Sequence, residues 1–382
     1  MSIYTVVAGT RPEIIKVAPI IRKILQSKKE LYFVHTGQHY DYSLSEQMIN
    51  DLQLPVPNMS FELKKSSPAS QIAEIMTKLE EPLKAGRDNI VIVQGDTNSV
   101  LSAALTAIKV RTPLAHVEAG LRSHDWRMPE EHNRRMVDHI SNVLFPPTKE
   151  SEQNLINEQV YGKIYVTGNT VIDAVREHLP LAEKKSEILQ NINSSEYIVV
   201  TIHRAENVDD PIILGNIVEG LIQSKVPIVI PLHPRTKNRL IEFGFFERLK
   251  CTKNIQIIPP QGYLDFLLLM KHSKFIVTDS GGIQEEATSP SLSKRILVLR
   301  HSTERPEIIQ TGVGKLVPLE SQKIVQEISS EWNATSKIFS SSPYGDGSAS
   351  EKIINILRKL IPELPNKELS RQFVFKDNIS KR

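Results

Sequence analysis

The segment NIVIVQGDTNSV, residues 89–100, decides the fold class of this chain. Its first half is a continuous run of Val and Ile, in which apolar residues do not alternate with polar ones. A run of this kind is typical of a strand that is buried on both faces of a sheet. Asp96 follows on a turn, and a helix is predicted to begin near Asn98. The segment therefore indicates a strand that leads directly into a helix.

Further apolar runs separate helical patterns along the rest of the chain. These runs are IYTVVAG, LYFVHTG, PLAHVEAG, KIYVTGN, YIVVTIHR, PIVIPLHP, IQIIPP, KFIVTDSGG and RILVLR. Strands that alternate with helices predict βαβ units, in which neighbouring strands are parallel. The sequence thus predicts an α/β fold with parallel sheets.

The length of 382 residues exceeds what one core usually fills, and it indicates two domains at roughly 100–200 residues each. The polar stretch LPLAEKKSEILQNINSSEY, residues 179–197, is the best candidate for the boundary. We predict two Rossmann-like, doubly wound domains at residues 1–175 and 176–350. A last helical pattern, EKIINILRKLI, falls within residues 351–382.

Charge and composition exclude several classes of partner. The 47 basic residues nearly balance the 44 acidic ones, and no basic tract is present to follow a nucleic-acid backbone. Cys251 is the single cysteine, which fits a reducing compartment. The N-terminal run lacks the features of a signal peptide, and no apolar run approaches the ~18–20 residues of a membrane span. We expect a cytoplasmic protein that binds neither nucleic acid nor membrane.

Candidate ligand-binding residues follow the strands of the first predicted domain, where open parallel sheets bind their ligands. After the first run, GTRPEIIK places Arg11 and Lys16 near a helix start, and TRPE has the spacing of a capping box. This segment predicts an anion site, although it has neither the dinucleotide-loop nor the P-loop spacing. Asp96 and Glu118 follow later runs and contribute two carboxylates.

A second group of candidates follows the strands of the other predicted domain. His203 and His233 each follow an apolar run, and DSGG places Ser280, Gly281 and Gly282 at a helix start. This turn can bring backbone N–H groups to a phosphate. The histidines have no metal-ligand spacing, so no metal site is predicted.

The segment VEAGLRSHDWRMPEEHNRR, residues 117–135, concentrates carboxylates and guanidinium groups. A solvated loop whose charges pair with one another is the simplest interpretation. Pro129 suits the first turn of a helix, in which the dipole favours Glu130 and Arg134 lies four residues later.

If both sheets are parallel, these groups point into a cleft between the two domains. A ligand with a diphosphate at one end and a reacting part among carboxylates fits such a cleft, and a nucleotide sugar has this form. The segment PQGYLDFLLLM offers Gln261 and Phe266 as amide and aromatic partners for a base. Glu286 is available to accept hydrogen bonds from ribose hydroxyls.

Together these segments resemble the non-hydrolysing UDP-N-acetylglucosamine 2-epimerases. That family shares the two-domain architecture of the GT-B glycosyltransferases and of glycogen phosphorylase. The resemblance covers nearly the whole chain. It rests on GTRPEIIK, GQH, QGDT, HVEAGLRS, PEEHNR, TGNTVIDA, HRAEN, DSGGIQEEA, TERPE and PYGDG.

The resemblance implies interconversion of UDP-GlcNAc and UDP-ManNAc, by anti elimination of UDP to a 2-acetamidoglucal and re-addition. It implies no redox cofactor and no metal, a homodimer, and a final helix that packs on the first domain. Its catalytic residues fall on Asp96, Glu118, Glu130 and His203. Its diphosphate contacts and nearby cations fall on Arg11, Lys16, Arg134, His203, Ser280, Gly281, Gly282 and Arg305, with Gln261 and Phe266 for uracil and Glu286 for ribose.

The chain departs from the family at a second, activating nucleotide-sugar site. Gln38 and His233 match that site, whereas Asp41 and Ala205 stand where its glutamine and arginine are expected. We therefore expect a hyperbolic dependence of turnover on substrate concentration.

Alternative functions share many of these features. A hydrolysing epimerase would release free ManNAc, and a 2-epimerase of a UDP-diacetamido uronic acid would use the same UDP and C2 chemistry. For the uronic acid, His124, Arg127 and Arg135 are either carboxylate partners or surface charges. A GT-B glycosyltransferase would need an acceptor site, and a nucleotide-sugar sensor would not need the carboxylates.

Overall fold

The computed structural model describes residues 3–38, 42–63, 67–84, 89–334 and 341–364. Asp41 and residues 365–382 of the predicted C-terminal segment lie outside the described residues. The chain divides into two compact units, residues 1–170 with 348–382 and residues 171–347. The division thus falls at 170/171, compared with the predicted limit of 175/176.

The first unit contains a sheet of parallel strands. These strands are β1 Ile3–Ala8, β2 Glu30–His35, β3 Met59–Ser60, β4 Asn89–Gln94, β5 Leu114–Val117, β6 Val143–Phe145 and β7 Lys163–Ile164. They lie in the order β3-β2-β1-β4-β5-β6-β7. The central strand β4 has residues Ile90–Val93 with no exposed surface, as expected for a strand covered on both faces.

Helices connect the strands of the first unit. They are α1 Arg11–Gln26, α2 Tyr42–Asp51, α3 Pro68–Lys84, α4 Asn98–Lys109, α5 Pro129–Ile140 and α6 Lys149–Asn157. The predicted starts of α4 at Asn98 and of α5 at Pro129 are confirmed. Thr97 caps α4, because its hydroxyl oxygen accepts a hydrogen bond from the backbone N–H of Val100 at 3.4 Å.

The second unit has its own parallel sheet, in the order β10-β9-β8-β11-β12-β13. Its strands are β8 Ile198–Thr201, β9 Ile228–Pro231, β10 Ile255–Ile258, β11 Ile276–Thr278, β12 Ile296–Val298 and β13 Gly314–Leu316. Its helices are α7 Thr170–Lys185, α8 Ala205–Val208, α9 Pro211–Ser224, α10 Pro234–Glu242, α11 Phe246–Lys250, α12 Tyr263–His272, α13 Gly281–Ala287, α14 Pro306–Gln310 and α15 Ser321–Asn333.

The last helix, α16 Ala349–Leu360, belongs to the first unit and packs on α1. Its buried face includes Ile353, Ile354 and Leu357. Two 3-10 turns, Ile188–Asn191 and Ile361–Glu363, complete the described elements.

Two details of the sequence interpretation are corrected. The stretch 179–197 is not a polar connection throughout, because α7 continues to Lys185 and a 3-10 turn follows at Ile188–Asn191. Strands β3, β6 and β13 were not predicted. β3 (Met-Ser) and β13 (Gly-Lys-Leu) have no apolar run, and the three apolar residues of β6 are followed at once by two prolines.

Both sheets change strand order beside their first strand, and this switch point is where a ligand is expected. In the first unit β1 and β4 are neighbours, and in the second unit β8 and β11 are neighbours. Doubly wound sheets bind ligands at this switch point, beyond the carboxyl ends of the strands. Within the described ranges, no helix is long and apolar enough to span a membrane.

Candidate active site

A pocket of about 460 Å³ lies in the first unit, where β1, β4 and β5 end. Five of the predicted residues line this pocket, and they are Lys16, Gln38, Asp96, Glu118 and Glu130. Two carboxylates that follow neighbouring parallel strands are therefore brought to one cavity, as the sequence predicted.

Glu118 is held by a cation and by two amides. Its Oε2 atom lies 2.5 Å from Lys16 Nζ, 3.0 Å from Gln94 Nε2 and 3.2 Å from Asn169 Nδ2. All three groups donate hydrogen bonds, so they fix the position of the Glu118 side chain in the pocket. The backbone of Glu118 has φ of +66°, a conformation that costs a residue other than glycine about 1–3 kcal/mol. The structure thus accepts local strain to present this side chain.

Asp96 has a different cationic partner. Its Oδ2 atom lies 2.5 Å from Nη2 of Arg134, and its backbone carbonyl accepts a hydrogen bond from Asn133 Nδ2 at 2.9 Å. Both partners lie on α5, so this helix orients the Asp96 turn. The Asp96 side chain is 28% exposed, compared with 8% for Glu118, and it is the more accessible of the two carboxylates.

The expected pairing along α5 is corrected by the structure. The salt-bridge partners of Arg134 are Asp96 and, at 3.2 Å, Glu131, whereas the i,i+4 spacing had suggested Glu130. Glu131 is fully buried and also accepts hydrogen bonds from Ser123. Glu130 is exposed and lines the pocket, which leaves its carboxylate accessible to a ligand.

The charged loop before α5 is largely an ion-pair network. Arg122 contacts Asp138 at 2.8 Å and Glu158 at 2.7 Å, and Arg135 contacts Glu158 at 2.5 Å. Arg135 also stacks on Trp126, with its guanidinium carbon 4.6 Å from the ring centre. The charges do pair, as the simplest interpretation held, but Arg122 is buried, so this part of the loop is not merely solvated.

Glu13 is a buried carboxyl group in the wall of the same pocket. Its Oε2 atom accepts hydrogen bonds from the backbone N–H groups of Gly9 at 2.5 Å and Thr10 at 3.2 Å. Burial raises the pKa of Glu13 to about 7, although the hydrogen bonds from Thr97, Gly9 and Thr10 oppose this shift. The folded protein therefore retains a proton on Glu13 at mildly acidic pH.

We expect the wild-type protein to lose stability relative to Glu13→Gln as pH rises from about 4.5 to about 7. In this window the unfolded chain releases the Glu13 proton while the folded protein retains it, so deprotonation favours unfolding. At 1.36 kcal/mol per pKa unit, the full change is about 3 kcal/mol. Urea unfolding of both proteins across this range measures it. A difference between the two that stays constant with pH would contradict the assignment.

In the second unit, Asp279 organises the turn after β8. Its fully buried carboxylate accepts hydrogen bonds from the backbone N–H groups of His203 at 3.0 Å and Arg204 at 2.9 Å, and from Asn207 Nδ2 at 3.0 Å. Nδ1 of His203 lies 3.3 Å from Asp279 Oδ1. Burial lowers the pKa of His203, with Arg204 and Arg235 contributing, while the charge of Asp279 opposes the shift. The imidazole is thereby favoured in its neutral form.

Two arginines and one glutamate lie beside the glycine turn of the second unit. A Cβ atom placed on Gly281 would lie 3.8 Å from Arg204 Nη2 and 3.9 Å from both Arg305 Nη2 and Glu304 Oε2. Burial would raise the pKa of Glu304, but Arg300, Arg204 and Arg305 together lower it to about 2. Ser280 precedes the turn, and its N–H donates to Thr278 Oγ1 at 3.0 Å. The guanidinium groups of Arg204 and Arg305 therefore lie next to the predicted Ser280–Gly282 segment, together with the Glu304 carboxylate.

The remaining predicted site residues are divided between the two units, with Arg11 and Gln38 in the first unit and the others in the second. Arg11 is exposed at the start of α1, and Gln38 Oε1 accepts hydrogen bonds from Ser99 N and Oγ. In the second unit, the His203 and His233 ring centres are 5.7 Å apart. Partly buried Gln261, Phe266 and Glu286 lie at the turn before α12, on α12 and on α13, respectively.

Sequence reasoning assigned no site role to several residues. Gln94 and Asn169 bind Glu118, and Glu131 and Asp279 anchor the surrounding turns. Gln94, Asn169 and Asp279 belong to the segments QGDT, TGNTVIDA and DSGG, so their neighbours in the chain gave an available signal. Glu131 likewise belongs to the segment PEEHNR, but its burial depends on which face of α5 turns inward, which the sequence did not indicate.

Comparison with known proteins gives consistent matches along the chain. The family model described as UDP-N-acetylglucosamine 2-epimerase matches residues 22–358. The UDP-N-acetylglucosamine 2-epimerase of Methanocaldococcus jannaschii is 41% identical over 362 residues, which cover 92% of this chain and 98% of that protein. The UDP-2,3-diacetamido-2,3-dideoxy-D-glucuronate 2-epimerase of Pseudomonas aeruginosa is 36% identical over 94% of this chain and 100% of that protein.

A solved structure agrees with these sequence matches. The crystal structure of the M. jannaschii UDP-GlcNAc 2-epimerase, in complex with UDP-GlcNAc and UDP, superimposes with a TM-score of 0.81. The match covers 94% of this chain and 100% of that one. The predicted α/β class and GT-B-like fold are therefore confirmed.

Proposed function

The chain belongs to the UDP-N-acetylglucosamine 2-epimerase family, and we propose that it interconverts UDP-GlcNAc and UDP-ManNAc without releasing free sugar. It is thus an enzyme of the isomerase class. The observation that carries this proposal is the pocket of the first unit, in which Asp96 and Glu118 are held by separate cations. Two carboxylates in one cavity supply what inversion at a carbon–hydrogen bond requires, a proton acceptor and a proton donor.

Asp96 and Glu118 form the proton-transfer pair of the proposed mechanism. One member of the pair, as the carboxylate, removes the C2 proton, the C2–H electron pair forms the C1=C2 double bond, and the C1–O bond breaks to release UDP. The other member, in its protonated form, then gives its proton to C2 on the opposite face, using the C1=C2 electron pair, and an oxygen of UDP re-forms the bond to C1. Exposed Glu130 orients the sugar or shares the proton.

UDP carries the negative charge that develops when the C1–O bond breaks. We assign its diphosphate to Ser280, Gly281 and Gly282, with His203 and Arg305 as neighbours. Support comes from the guanidinium groups of Arg204 and Arg305 beside Gly281, because preorganised cations stabilise a leaving anion. Arg204 joins this group, since its guanidinium lies as close to Gly281 as that of Arg305 does. Gln261, Phe266 and Glu286 are assigned to the uridine, and Arg11 and Lys16 are additional cations.

Arg204→Met is expected to weaken UDP binding about 10–100-fold, because a hydrogen bond to a charged group contributes about 1.5–3 kcal/mol. Isothermal titration with UDP measures the change. Arg248→Met is the matched control, since Arg248 is an exposed arginine that pairs with Glu219 and should leave UDP binding unchanged. Equal UDP affinity in the wild type and in Arg204→Met would remove Arg204 from the site.

We propose that the sugar is an uncharged N-acetylhexosamine. The P. aeruginosa relative is named for a uronic acid substrate, and the carboxylate of such a sugar would need a cationic side chain as its partner. Arg127 pairs with Asp125 at 2.8 Å and is 90% exposed, and Arg135 pairs with Glu131 and Glu158. Because both arginines already have carboxylate partners, this geometry favours the uncharged N-acetylhexosamine.

Chromatographic separation of the reaction products tests the proposed function. The protein is incubated with UDP-GlcNAc and, separately, with UDP-ManNAc. Both reactions should reach the same mixture of the two nucleotide sugars, without free UDP. Release of UDP and ManNAc would identify the hydrolysing reaction, and turnover of the diacetamido uronate alone would identify the other substrate class. A requirement for an acceptor would indicate a glycosyltransferase.

We also propose a homodimer that acts in the cytoplasm. The support is the family resemblance for the dimer and the single cysteine for a reducing compartment. Light scattering during size-exclusion chromatography measures the mass in solution. A mass near that of one chain, 43.1 kDa, would contradict the dimer.

A further inference from the structure

His116 lies on β5, two residues before Glu118, and its ring is fully buried. Its Nδ1 atom is 2.7 Å from Asp138 Oδ1, and its Nε2 atom is 2.8 Å from the carbonyl oxygen of Gly95. A carbonyl oxygen only accepts hydrogen bonds, so Nε2 must donate to Gly95, and the hydrogen bond to Asp138 then uses a second proton, on Nδ1 or on Asp138 Oδ1. The ring therefore joins α5 to the turn after β4.

The Gly95 contact bears directly on Asp96. The carbonyl of Gly95 belongs to the peptide that leads into Asp96, and the Gly95 N–H donates to Val117 O at 3.1 Å. Gly95 has φ of +85°, so the chain turns sharply at this point. Strand β5 thus holds both the N–H and the carbonyl oxygen of Gly95. Val117 O accepts a hydrogen bond from the N–H, and the His116 ring donates one to the carbonyl oxygen.

The Asp138 contact bears on Glu118. Oδ2 of Asp138 accepts the backbone N–H of Gly120 at 3.1 Å and also contacts Arg122 at 2.8 Å. Gly120 has φ of +80° and lies two residues after Glu118. The Glu118 N–H donates to Phe145 O at 3.1 Å, which fixes the start of the same turn. The contact of Asp138 with the Gly120 N–H fixes the end of the turn, after Glu118.

We propose that His116 and Asp138 are positioning residues, which together set the distance and orientation of Asp96 relative to Glu118. The inference rests on the proposed function, because it assumes that these two carboxylates exchange the C2 proton. The chain of contacts runs from Asp96 through Gly95, His116 and Asp138 to Gly120, and every link is a hydrogen bond or a peptide. Neither His116 nor Asp138 lines the pocket. They act through the turns that they hold.

Two substitutions of His116 separate its two hydrogen bonds. In His116→Gln the amide nitrogen takes the place of ring Nε2 and retains the bond to Gly95. In His116→Asn the amide nitrogen takes the place of Nδ1 and retains the bond to Asp138. We expect kcat to fall about 100-fold in His116→Asn, as for a displacement of about 1 Å at a reacting group, and by no more than about 10-fold in His116→Gln.

The KM for UDP-GlcNAc and the dissociation constant of UDP should stay within about threefold of wild type, because the assigned UDP contacts lie in the second unit. Thermal melting establishes that both variants are folded. His139→Asn is the matched control, since His139 is an exposed histidine on α5 and should leave kcat unchanged. A purely structural role would instead lower melting temperature and UDP binding together.

Crystal structures of the two variants give a readout that does not depend on activity. The Asp96 carboxylate should move in His116→Asn and remain in place in His116→Gln. An unmoved Asp96 in both variants, or equal kcat in both, would overturn the positioning role, as would parallel loss of folding and UDP binding. Absence of epimerisation by the wild type would instead refute the proposed function, and the crystallographic comparison would still decide the positioning role.

Discussion

Replacing Glu118 with glutamine is expected to lower kcat by about 10²–10⁴-fold while UDP affinity is retained. Glutamine has nearly the shape of glutamate but cannot take up the C2 proton. The UDP contacts that we assign lie in the second unit, so they should not be affected. Steady-state kinetics and isothermal titration with UDP measure the two effects separately.

Glu118→Gln also removes the ion pair between Glu118 and Lys16, in which both side chains are largely buried. We therefore expect lower stability, which Lys16→Met in the same protein should partly restore without restoring kcat. Glu152→Gln, at an exposed ion pair on α6, is the control and should behave as wild type. Near-wild-type kcat in Glu118→Gln would remove Glu118 from the proton-transfer pair.

Gly9→Ala is expected to distort the wall of the pocket at the turn after β1, where the neighbouring Thr10 lines the pocket. A Cβ atom on Gly9 would lie 1.9 Å from Ser99 Oγ, 2.7 Å from Ser99 Cβ and 2.3 Å from Thr36 Oγ1. Contacts this short force the turn after β1 or the first turn of α4 to move. We expect a loss of about 1–3 kcal/mol of stability and of most activity.

Differential scanning calorimetry and a turnover assay measure the two consequences of Gly9→Ala. Gly282→Ala is the matched control for stability, because a Cβ on Gly282 meets no atom within 4 Å and alanine favours the helix. An unchanged melting temperature and activity in Gly9→Ala would mean that the turn after β1 does not need to approach Ser99 closely.

The sequence predicted the location of the carboxylates because continuous apolar runs identify parallel strands. Once β4 and β5 are recognised, Asp96 and Glu118 must emerge at the same edge of the sheet. The same reasoning gave His203 and the DSGG turn at the ends of β8 and β11. These predictions required only strand direction, not side-chain packing.

The partners of the carboxylates were less predictable, because they depend on how helices pack. The i,i+4 rule suggested Glu130 for Arg134, yet α5 turns Glu131 into the protein and directs Arg134 to Asp96. Likewise, the elevated pKa of Glu13 follows from burial that no local pattern reveals. The charged composition of residues 179–197 suggested a connection, but the helical part of that stretch buries Leu179 and Ala182.

The charged loop of residues 117–135 now has a physical explanation. Buried Arg122 ties the loop to Asp138 on α5 and to Glu158 after α6, and α5 presents Arg134 to Asp96. The loop and the helix thus form the rigid support of the pocket, since a catalytic carboxylate needs fixed neighbours to retain its orientation.

Proton NMR of UDP-GlcNAc incubated with the pure protein in deuterated water measures exchange of the C2 hydrogen. We expect UDP-ManNAc to appear and deuterium to enter C2 of both nucleotide sugars, because solvent-exchangeable carboxyl groups remove and return the C2 proton. Formation of UDP-ManNAc with the C2 hydrogen fully retained would contradict proton transfer through Asp96 and Glu118.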